Sequence, residues 1–340
     1  MKRHLTPLRA IGAIVLLAVV AAAVLYLAPA GAFPGMSNQY ILLPDVAHPV
    51  APLVQVQSSR KPGPGTLYFV DVIERRASTL EALFPSLHPH ATLVPAGDIL
   101  PPCASEAQAE AVALQEMALS QRVAAAVALR KLHYNVLVKP TGVVVSQLIG
   151  GTHAVCNLQP DDAIVAVNGK PTLTEAALHS ALGRVRPGDV VRLRVRRGDK
   201  LMTVPIRTVD DQGRAIIGFV PDQGAKIELP IHVAIDTSGI GGPSAGLAFA
   251  LEVMQKLGHN VLHGERVAAT GQMELNGAVA PIGGVKQKTY GVRQAGADVF
   301  LVPAGQNARD ARRYAGPVRI IAVRTFDQAL HALATLPRTQ

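Results

Sequence analysis

The sequence contains no tryptophan, and aromatic residues make up only 4% of its 340 residues. A core without many large rings must be built from Ala, Val, Leu and Ile. Such residues are available, because hydrophobic residues make up 49% of the chain. At about 100–200 residues per domain, the length allows two or three domains. The composition therefore predicts a multidomain globular protein with aliphatic cores.

The sequence lacks the motifs that would indicate nucleic-acid binding or nucleotide binding. The formal net charge is +9, but the basic residues are scattered and no aromatic residues alternate with them, so a solvated basic surface is favoured over nucleic-acid binding. No G-x-x-x-x-G-K-[ST] motif occurs in the 340 residues, so no phosphate-binding loop of that type is present. Neither nucleic acid nor a cofactor is expected.

Cysteine is almost absent as well. The two cysteines, Cys103 and Cys156, are far apart in the sequence and cannot form a metal cluster by themselves, so no metal site is expected. A disulfide would be consistent with a location outside the cytoplasm. Two buried free thiols are the favoured interpretation.

One long apolar run is present, at residues 10–33, and it contains no charge. About 20 apolar residues span a bilayer as a helix, and Lys2, Arg3 and Arg9 precede the run. The pattern predicts a single-pass anchor in the cell membrane, in contact with lipid, with residues 1–9 cytoplasmic and the remainder extracytoplasmic. Small residues at 28–32 leave cleavage of the anchor open.

The rest of the chain divides by its pattern. Residues 105–132 are Ala-rich without Gly or Pro and predict a long helix that begins after Ser105. Residues 66–76 read as one strand, and an Asn-Gly pair at 168–169 predicts a hairpin. The predicted divisions are a cytoplasmic N-terminus (1–9), an anchor (10–33), a stalk and α/β segment (34–134), a β-rich unit (135–212) and an α+β domain (213–340).

The β-rich unit resembles a PDZ domain. The matching residues of its L-x-x-G-D-x-I-x-x-V-N-G pattern are Leu158, Asp162, Ile164, Val167, Asn168 and Gly169. The resemblance implies a partly open β-barrel with helices, which takes a peptide at a sheet edge. Asp161 replaces the usual turn glycine, and Asp tolerates a left-handed turn better than most residues. The site for the peptide carboxylate is sought near residues 139–142 or after the long helix.

Ser244 lies in a G-x-S-x-G stretch, at 242–246, before an apolar run. The stretch is compatible with the nucleophile of an α/β-hydrolase, but no distinctive acid and histidine follow it. Taken alone, the stretch is better explained by a serine that caps the next helix. A third interpretation involves Lys286 and Lys288, which follow a Gly-Gly turn in an apolar setting. An apolar pocket favours a neutral amine, and a Ser–Lys pair is a known catalytic arrangement.

Residues 213–340 resemble the proteolytic domain of the Lon family. The matching motifs are P-S-A-G at 243–246, T-G at 270–271 and P-I-G-G-V-K-Q-K at 281–288. The resemblance implies that Ser244 is the nucleophile, Lys288 the general base and Lys286 a neighbour. It also implies that the Thr270 hydroxyl hydrogen-bonds the lysine amine. The backbone N–H groups of Gly242 and Ser244 are the candidate oxyanion donors. The acids usual after T-G and before G-P-S are replaced by Gln272 and Gly241.

The whole layout resembles bacterial membrane-anchored PDZ–Lon peptidases that lack the ATPase module. This resemblance implies an ATP-independent serine endopeptidase that cleaves unfolded or accessible proteins on the extracytoplasmic side, with the PDZ domain selecting or tethering substrate. It leaves a homo-oligomer open. The alternative is a catalytically inactive PDZ scaffold or substrate-binding regulator at the membrane.

Overall fold

The computed structural model describes residues 7–100 and 103–336. The predicted cytoplasmic N-terminus at 1–9 lies mostly outside these residues, as do the last four residues of the predicted catalytic domain. The N-terminal part consists of α1 (Pro7–Leu27), β1 (Gln39–Pro44), β2 (His48–Pro49), β3 (Val54–Val56), β4 (Thr66–Phe69), β5 (Val72–Arg76), α2 (Thr79–Leu83), a 3-10 helix (Pro85–Leu87), β6 (Thr92–Pro95), α3 (Ala96–Ile99) and α4 (Glu106–Lys131).

The predicted membrane anchor at 10–33 is wrong. Within that run α1 ends at Leu27, so the helix does not continue through residues 28–33. The chain then turns back, and the buried Ala30 donates its N–H to the carbonyl of Ala77 at 2.8 Å. No helix in the described residues has the length and apolar character that a membrane crossing requires. The predicted single-pass location and lipid contact are thereby contradicted.

The predicted strand at 66–76 is divided between two sheets. Its first half, β4, lies in the five-stranded sheet that the C-terminal part completes. Its second half, β5, pairs antiparallel with β1 in a sheet of order β5-β1-β6. The chain therefore changes sheets at Val70 and Asp71. This crossing leaves Asp71 at the end of β4.

Helix α4 begins where the sequence predicts. Ser105 is its N-cap and accepts from the N–H of Gln108, whose side chain in turn accepts from the N–H of Ser105. This reciprocal arrangement satisfies two of the free donors at the start of the helix. Alanine is the commonest buried residue of α4, at Ala124, Ala125, Ala126 and Ala128, which permits close packing against another helix.

The PDZ-like unit forms around a sheet of order β11-β10-β8-β7-β14, with β9 paired to β8. Asp161 has a φ of 66°, which confirms that it takes the left-handed turn position. Asn168 and Gly169 form the predicted hairpin turn between β8 and β9. The elements are β7 (Leu137–Leu148), β8 (Ala163–Val167), β9 (Lys170–Pro171), α5 (Glu175–Leu182), β10 (Val190–Arg197), β11 (Lys200–Arg207), β12 (Val209–Asp211), β13 (Arg214–Ile216) and β14 (Phe219–Glu228).

The C-terminal part completes an open sheet of order β2-β4-β16-β19-β20, in which β4, β16, β19 and β20 are parallel. Its elements are β15 (Val233–Ile235), a 3-10 helix (Pro243–Ala245), α6 (Gly246–Lys256), β16 (Arg266–Ala269), β17 (Gln272–Met273), β18 (Val279–Ala280), α7 (Val285–Gln294), β19 (Val299–Pro303), α8 (Gln306–Tyr314), β20 (Arg319–Val323) and α9 (Phe326–Ala334).

Both faces of this sheet are covered, because successive side chains of a strand point to opposite sides. Val267 and Ala269 belong to the core that includes α4, α6 and α9, whereas Ala268 belongs to the core that includes α7 and α8. Leu67 and Phe69 of β4 lie in the first of these cores. The N-terminal segment and the C-terminal part thus share one core, while the PDZ-like unit has its own. The exact domain boundaries stay a prediction.

Cys103 and Cys156 form a disulfide, so the interpretation as free thiols is wrong. Their Cα atoms are 5.4 Å apart, within the range that a disulfide spans. The bond joins the residues just before α4 to the loop that follows β7. It therefore links the PDZ-like unit to the helix that packs in the core shared by the N-terminal segment and the C-terminal part.

Removing this disulfide is expected to destabilise the chain. The two cysteines are 53 residues apart, and loop-closure entropy for that length gives a loss of up to about 4 kcal/mol. The measurement is the urea midpoint of unfolding with and without a thiol-free reductant such as TCEP. The Cys103→Ser/Cys156→Ser double variant is the control, because reductant should leave its midpoint unchanged. An identical midpoint for reduced and oxidised wild type would contradict the expectation.

Candidate active site

Ser244 lies in the 3-10 helix at 243–245, directly before α6. Gly242 precedes it with φ 85° and ψ 151°, a conformation that is nearly restricted to glycine. The N-cap of α6 is Ala245, and no side chain caps that helix. The interpretation of Ser244 as a helix cap is therefore wrong, and its hydroxyl is available for another partner.

That partner is Lys288, on the first turns of α7. Gly284, with a φ of 67°, begins this helix from the left-handed region. Lys288 Nζ donates a hydrogen bond to Ser244 Oγ at 2.7 Å, across a sequence separation of 44 residues. Lys286 Nζ instead donates a hydrogen bond to the carbonyl oxygen of Ala91 at 2.7 Å. The structure thus brings Ser244 and Lys288 together and directs Lys286 elsewhere.

Lys288 is deeply buried, with 3% of its surface exposed. Desolvation disfavours the ammonium form and lowers the pKa of Lys288 to about 8, while the negative charge of Asp71 acts in the opposite direction. A substantial fraction of the amine is therefore neutral near pH 8. A neutral amine in contact with a serine hydroxyl can accept its proton.

The backbone of Ser244 is held by the residues that follow β16. The carbonyl of Ser244 accepts from the Thr270 hydroxyl at 3.1 Å and from the Gly271 N–H at 2.7 Å. The resemblance implied a hydrogen bond from Thr270 to the lysine amine. The structure instead directs the Thr270 hydroxyl to the serine carbonyl, so Thr270 holds the backbone of Ser244 in place.

Helix α4 holds the other side of the same loop. Ser120 Oγ donates to the carbonyl of Pro243 at 2.9 Å, and the N–H of Gly242 donates to the carbonyl of Ala113 at 2.7 Å. In this conformation the Gly242 N–H is occupied, although it was a candidate oxyanion donor. The N–H of Ser244 stays the predicted donor. The contribution of α4 was missed by sequence reasoning, because nothing in an Ala-rich pattern indicates which loop it meets.

Asp71 is a second residue that sequence reasoning missed. It follows β4, the parallel neighbour of β16, so the two strands end at the same edge of the sheet. Ligands of open α/β sheets bind at such carboxyl ends. Burial raises the pKa of Asp71, and the charge of His48 partly offsets this. No sequence pattern could locate Asp71, because the whole of 66–76 reads as one strand.

The PDZ-like unit contains a cavity of about 410 Å³ between α5 and the β13–β14 region. It does not lie at residues 139–142, where the sequence suggested a carboxylate site. Among the described strands, β14 pairs only with β7, so its other edge is unpaired. Residues that line the cavity include Leu178, Leu182, Val185, Ile216, Ile217 and Phe219.

Comparison with known families gives two matches. Residues 213–334 match the Lon protease (S16) C-terminal proteolytic domain, and residues 125–208 match the PDZ domain. The chain therefore carries a Lon-type serine peptidase domain and a PDZ domain.

Individual relatives match over part of the chain. Lon protease 2 of Bacillus subtilis (strain 168) is 34% identical over 125 residues, which cover 36% of this chain and 21% of that protein. Lon protease 2 of Herpetosiphon aurantiacus is 38% identical over 109 residues, which cover 31% of this chain and 13% of that protein. The matched region thus spans about a fifth or less of the length of these relatives.

A solved structure is similar to the PDZ part. The PDZ domain of the SdrC-like protein from Listeria monocytogenes is 22% identical, with a TM-score of 0.23, and the match covers 24% of this chain and 90% of that one.

Proposed function

We propose that this chain is a serine endopeptidase in which Ser244 is the nucleophile and Lys288 the general base. The observation that carries the proposal is the 2.7 Å hydrogen bond between a buried lysine amine and the serine hydroxyl. Burial of Lys288 gives the amine a lowered pKa, which a base acting near neutral pH requires.

The reaction proceeds in two halves. Neutral Lys288 takes the proton of Ser244 as Oγ forms a bond to the substrate carbonyl carbon, and the N–H of Ser244 stabilises the oxyanion. The lysine ammonium then gives that proton to the leaving amine as the peptide C–N bond breaks. Water attacks the resulting ester as Lys288 again accepts a proton. The C–Oγ bond then breaks, Lys288 returns this proton to Ser244 Oγ, and the acid is released.

The substrates in this proposal are unfolded or accessible proteins, cleaved without nucleotide hydrolysis on the extracytoplasmic side. The lack of a phosphate-binding loop motif in the 340 residues supports nucleotide independence. The disulfide supports an oxidising compartment, since such bonds are rare where thiols are kept reduced.

The PDZ domain has a groove suited to an extended peptide. The unpaired edge of β14 offers main-chain hydrogen bonds, and the adjacent apolar cavity offers space for a side chain. We assign substrate selection or tethering to this groove. Homo-oligomerisation stays a prediction, since no observation on the chain decides it.

The function is tested by incubating the full chain with β-casein, with and without ATP and Mg²⁺, and sequencing the products by mass spectrometry. Internal cleavage that is equal in both conditions and absent in Ser244→Ala is expected. Binding of casein without any cleavage would instead support the alternative, a catalytically inactive PDZ scaffold. Cleavage that requires ATP would contradict nucleotide independence but not the assignment of Ser244 as the nucleophile.

The PDZ groove is tested by Ile216→Asp, which places a charge in the cavity lining. The KM for casein is expected to rise several-fold, with little change in kcat or in cleavage of a short peptide that cannot reach the groove. Leu201→Asp is the matched control, because Leu201 is 51% exposed and lies on β11, at the opposite edge of the same sheet. Equal effects of both variants would show that the cavity has no part in substrate binding.

A further inference from the structure

Three metal-ligating side chains meet beside the candidate active site, outside the residues that the proposed reaction uses. They are Asp45, after β1, His48, on β2, and Asp71, after β4. Each is partly accessible, with side-chain exposures of 27%, 31% and 18%.

Helix α7, which carries Lys288, packs closely against the segment that contains Asp45. A Cβ on Gly291 would lie 2.2 Å from the carbonyl oxygen of Asp45, so the absence of a side chain lets α7 approach this segment closely. Gly291 and Lys288 are three residues apart and share one face of the helix. The group thus borders the buried lysine.

Two of the three distances between the ligand atoms fit a metal ion. His48 Nε2 is 3.6 Å from Asp45 Oδ2 and 3.4 Å from Asp71 Oδ1, and the three ligand atoms lie within 4.8 Å of one another. In a tetrahedral zinc site, ligands at about 2.0–2.2 Å from the ion are separated by about 3.3–3.6 Å. Both distances to the imidazole nitrogen agree with that spacing.

The carboxylates of Asp45 and Asp71 lie at ion-pair distance from His48, but hydrogen bonding does not account for the arrangement. Among the described residues, His48 Nε2 and Asp71 Oδ1 are buried atoms without a hydrogen-bond partner. Buried polar atoms are rarely left in this state. Asp45 uses its other oxygen to accept from the N–H of Val46 at 2.7 Å, which leaves Oδ2 directed at the group.

The imidazole is also held in place. Its ring stacks on Phe69 with centroids 5.0 Å apart, and His48 is paired with Phe69 between β2 and β4. The two strands therefore fix both the backbone and the ring, so that little reorganisation is needed when a ligand binds.

We propose that Asp45, His48 and Asp71 form a divalent-cation site of the zinc class beside the Ser244–Lys288 pair. One imidazole and two carboxylates are ligands that Zn²⁺ accepts, whereas Mg²⁺ and Ca²⁺ prefer oxygen alone. Three protein ligands leave a fourth position for water. The site stands independently of the proposed peptidase activity, since it depends on different side chains.

The site is tested on the full-length Ser244→Ala protein, which cannot digest itself if the peptidase proposal holds. Zn²⁺ binding is measured by isothermal titration calorimetry, and Co²⁺ binding by its visible absorption. One ion per chain is expected, and His48→Ala or Asp71→Asn should weaken this binding at least about tenfold. A tetrahedral Co²⁺ spectrum should disappear in both variants.

The matched control is His88→Ala. His88 is a partly exposed histidine of the same segment, in contact with Glu81 at 2.9 Å, and its removal should leave the affinity and spectrum unchanged. Thermal unfolding of each variant shows that the fold is retained. The proposal is overturned if the Ser244→Ala protein binds zinc equally with and without the His48→Ala substitution, or if it binds none.

Discussion

Replacing Ser244 by Ala, or Lys288 by Met, is expected to lower kcat for casein by at least about 10³-fold. The serine variant loses the nucleophile, and the methionine variant loses the amine that lies 2.7 Å from Ser244 Oγ. Residues that act as one unit give non-additive losses. The kcat of the double variant should therefore lie within a few-fold of the kcat of the less active single variant. Initial rates with purified proteins measure these values.

Stability provides the control for Lys288→Met. The pKa of Lys288 is lower in the folded chain, so the unfolded chain binds more protons and stability rises with pH between about 8 and 10.5. Below pH 8 the buried amine carries a penalty on the order of 3 kcal/mol. Methionine has a similar shape without this penalty, so the variant should unfold at no lower temperature. Full activity in a folded Lys288→Met protein would refute its role as the base.

The pH profile is the second large effect. Because the neutral amine is the active form and the pKa of Lys288 is about 8, log kcat/KM should fall by about one for each pH unit below 8. From pH 9 to pH 6 the expected decrease is about 100-fold. The measurement is the initial rate of peptide cleavage at constant ionic strength, with circular dichroism at each pH to show that the chain stays folded.

Lys288→Arg is the matched variant for this profile. Its guanidinium keeps the positive charge but does not deprotonate in proteins, so cleavage should be absent at every pH tested. A flat profile between pH 6 and 9 in the wild type would exclude a lysine base with this pKa. Activity of the arginine variant that matches the wild type would do the same.

The sequence predicted those features that depend on neighbours in the chain. The N-cap at Ser105 and the hairpin at Asn168–Gly169 were predicted correctly, as was the left-handed turn at Asp161, because capping and turn conformation are local properties. The Lon-type and PDZ domains were identified by their motifs and confirmed by the family matches. The pairing of Ser244 with Lys288 was implied by resemblance, and their roles stay a proposal.

Other features depend on packing between distant segments. The extent of α1 was misjudged, because residues 28–30 hydrogen-bond to Ala77 and Thr79 rather than continue the helix. The pairing of Cys103 with Cys156 requires the PDZ unit to lie against the start of α4, and two cysteines give no spacing pattern that shows this. The occupied N–H of Gly242 also depends on α4, through the carbonyl of Ala113.

The sequence by itself determined the two domain families and the residue types available for catalysis, because these are written in short contiguous motifs. Only the tertiary structure decided which side chains surround Lys288. The strand predicted at 66–76 divides at Asp71 because its two halves pair with different partners, β16 and β1. That division brings Asp71 to the sheet edge beside His48 and Asp45. Strand pairing between segments some 200 residues apart has no local signal, so this group became visible only in the folded chain.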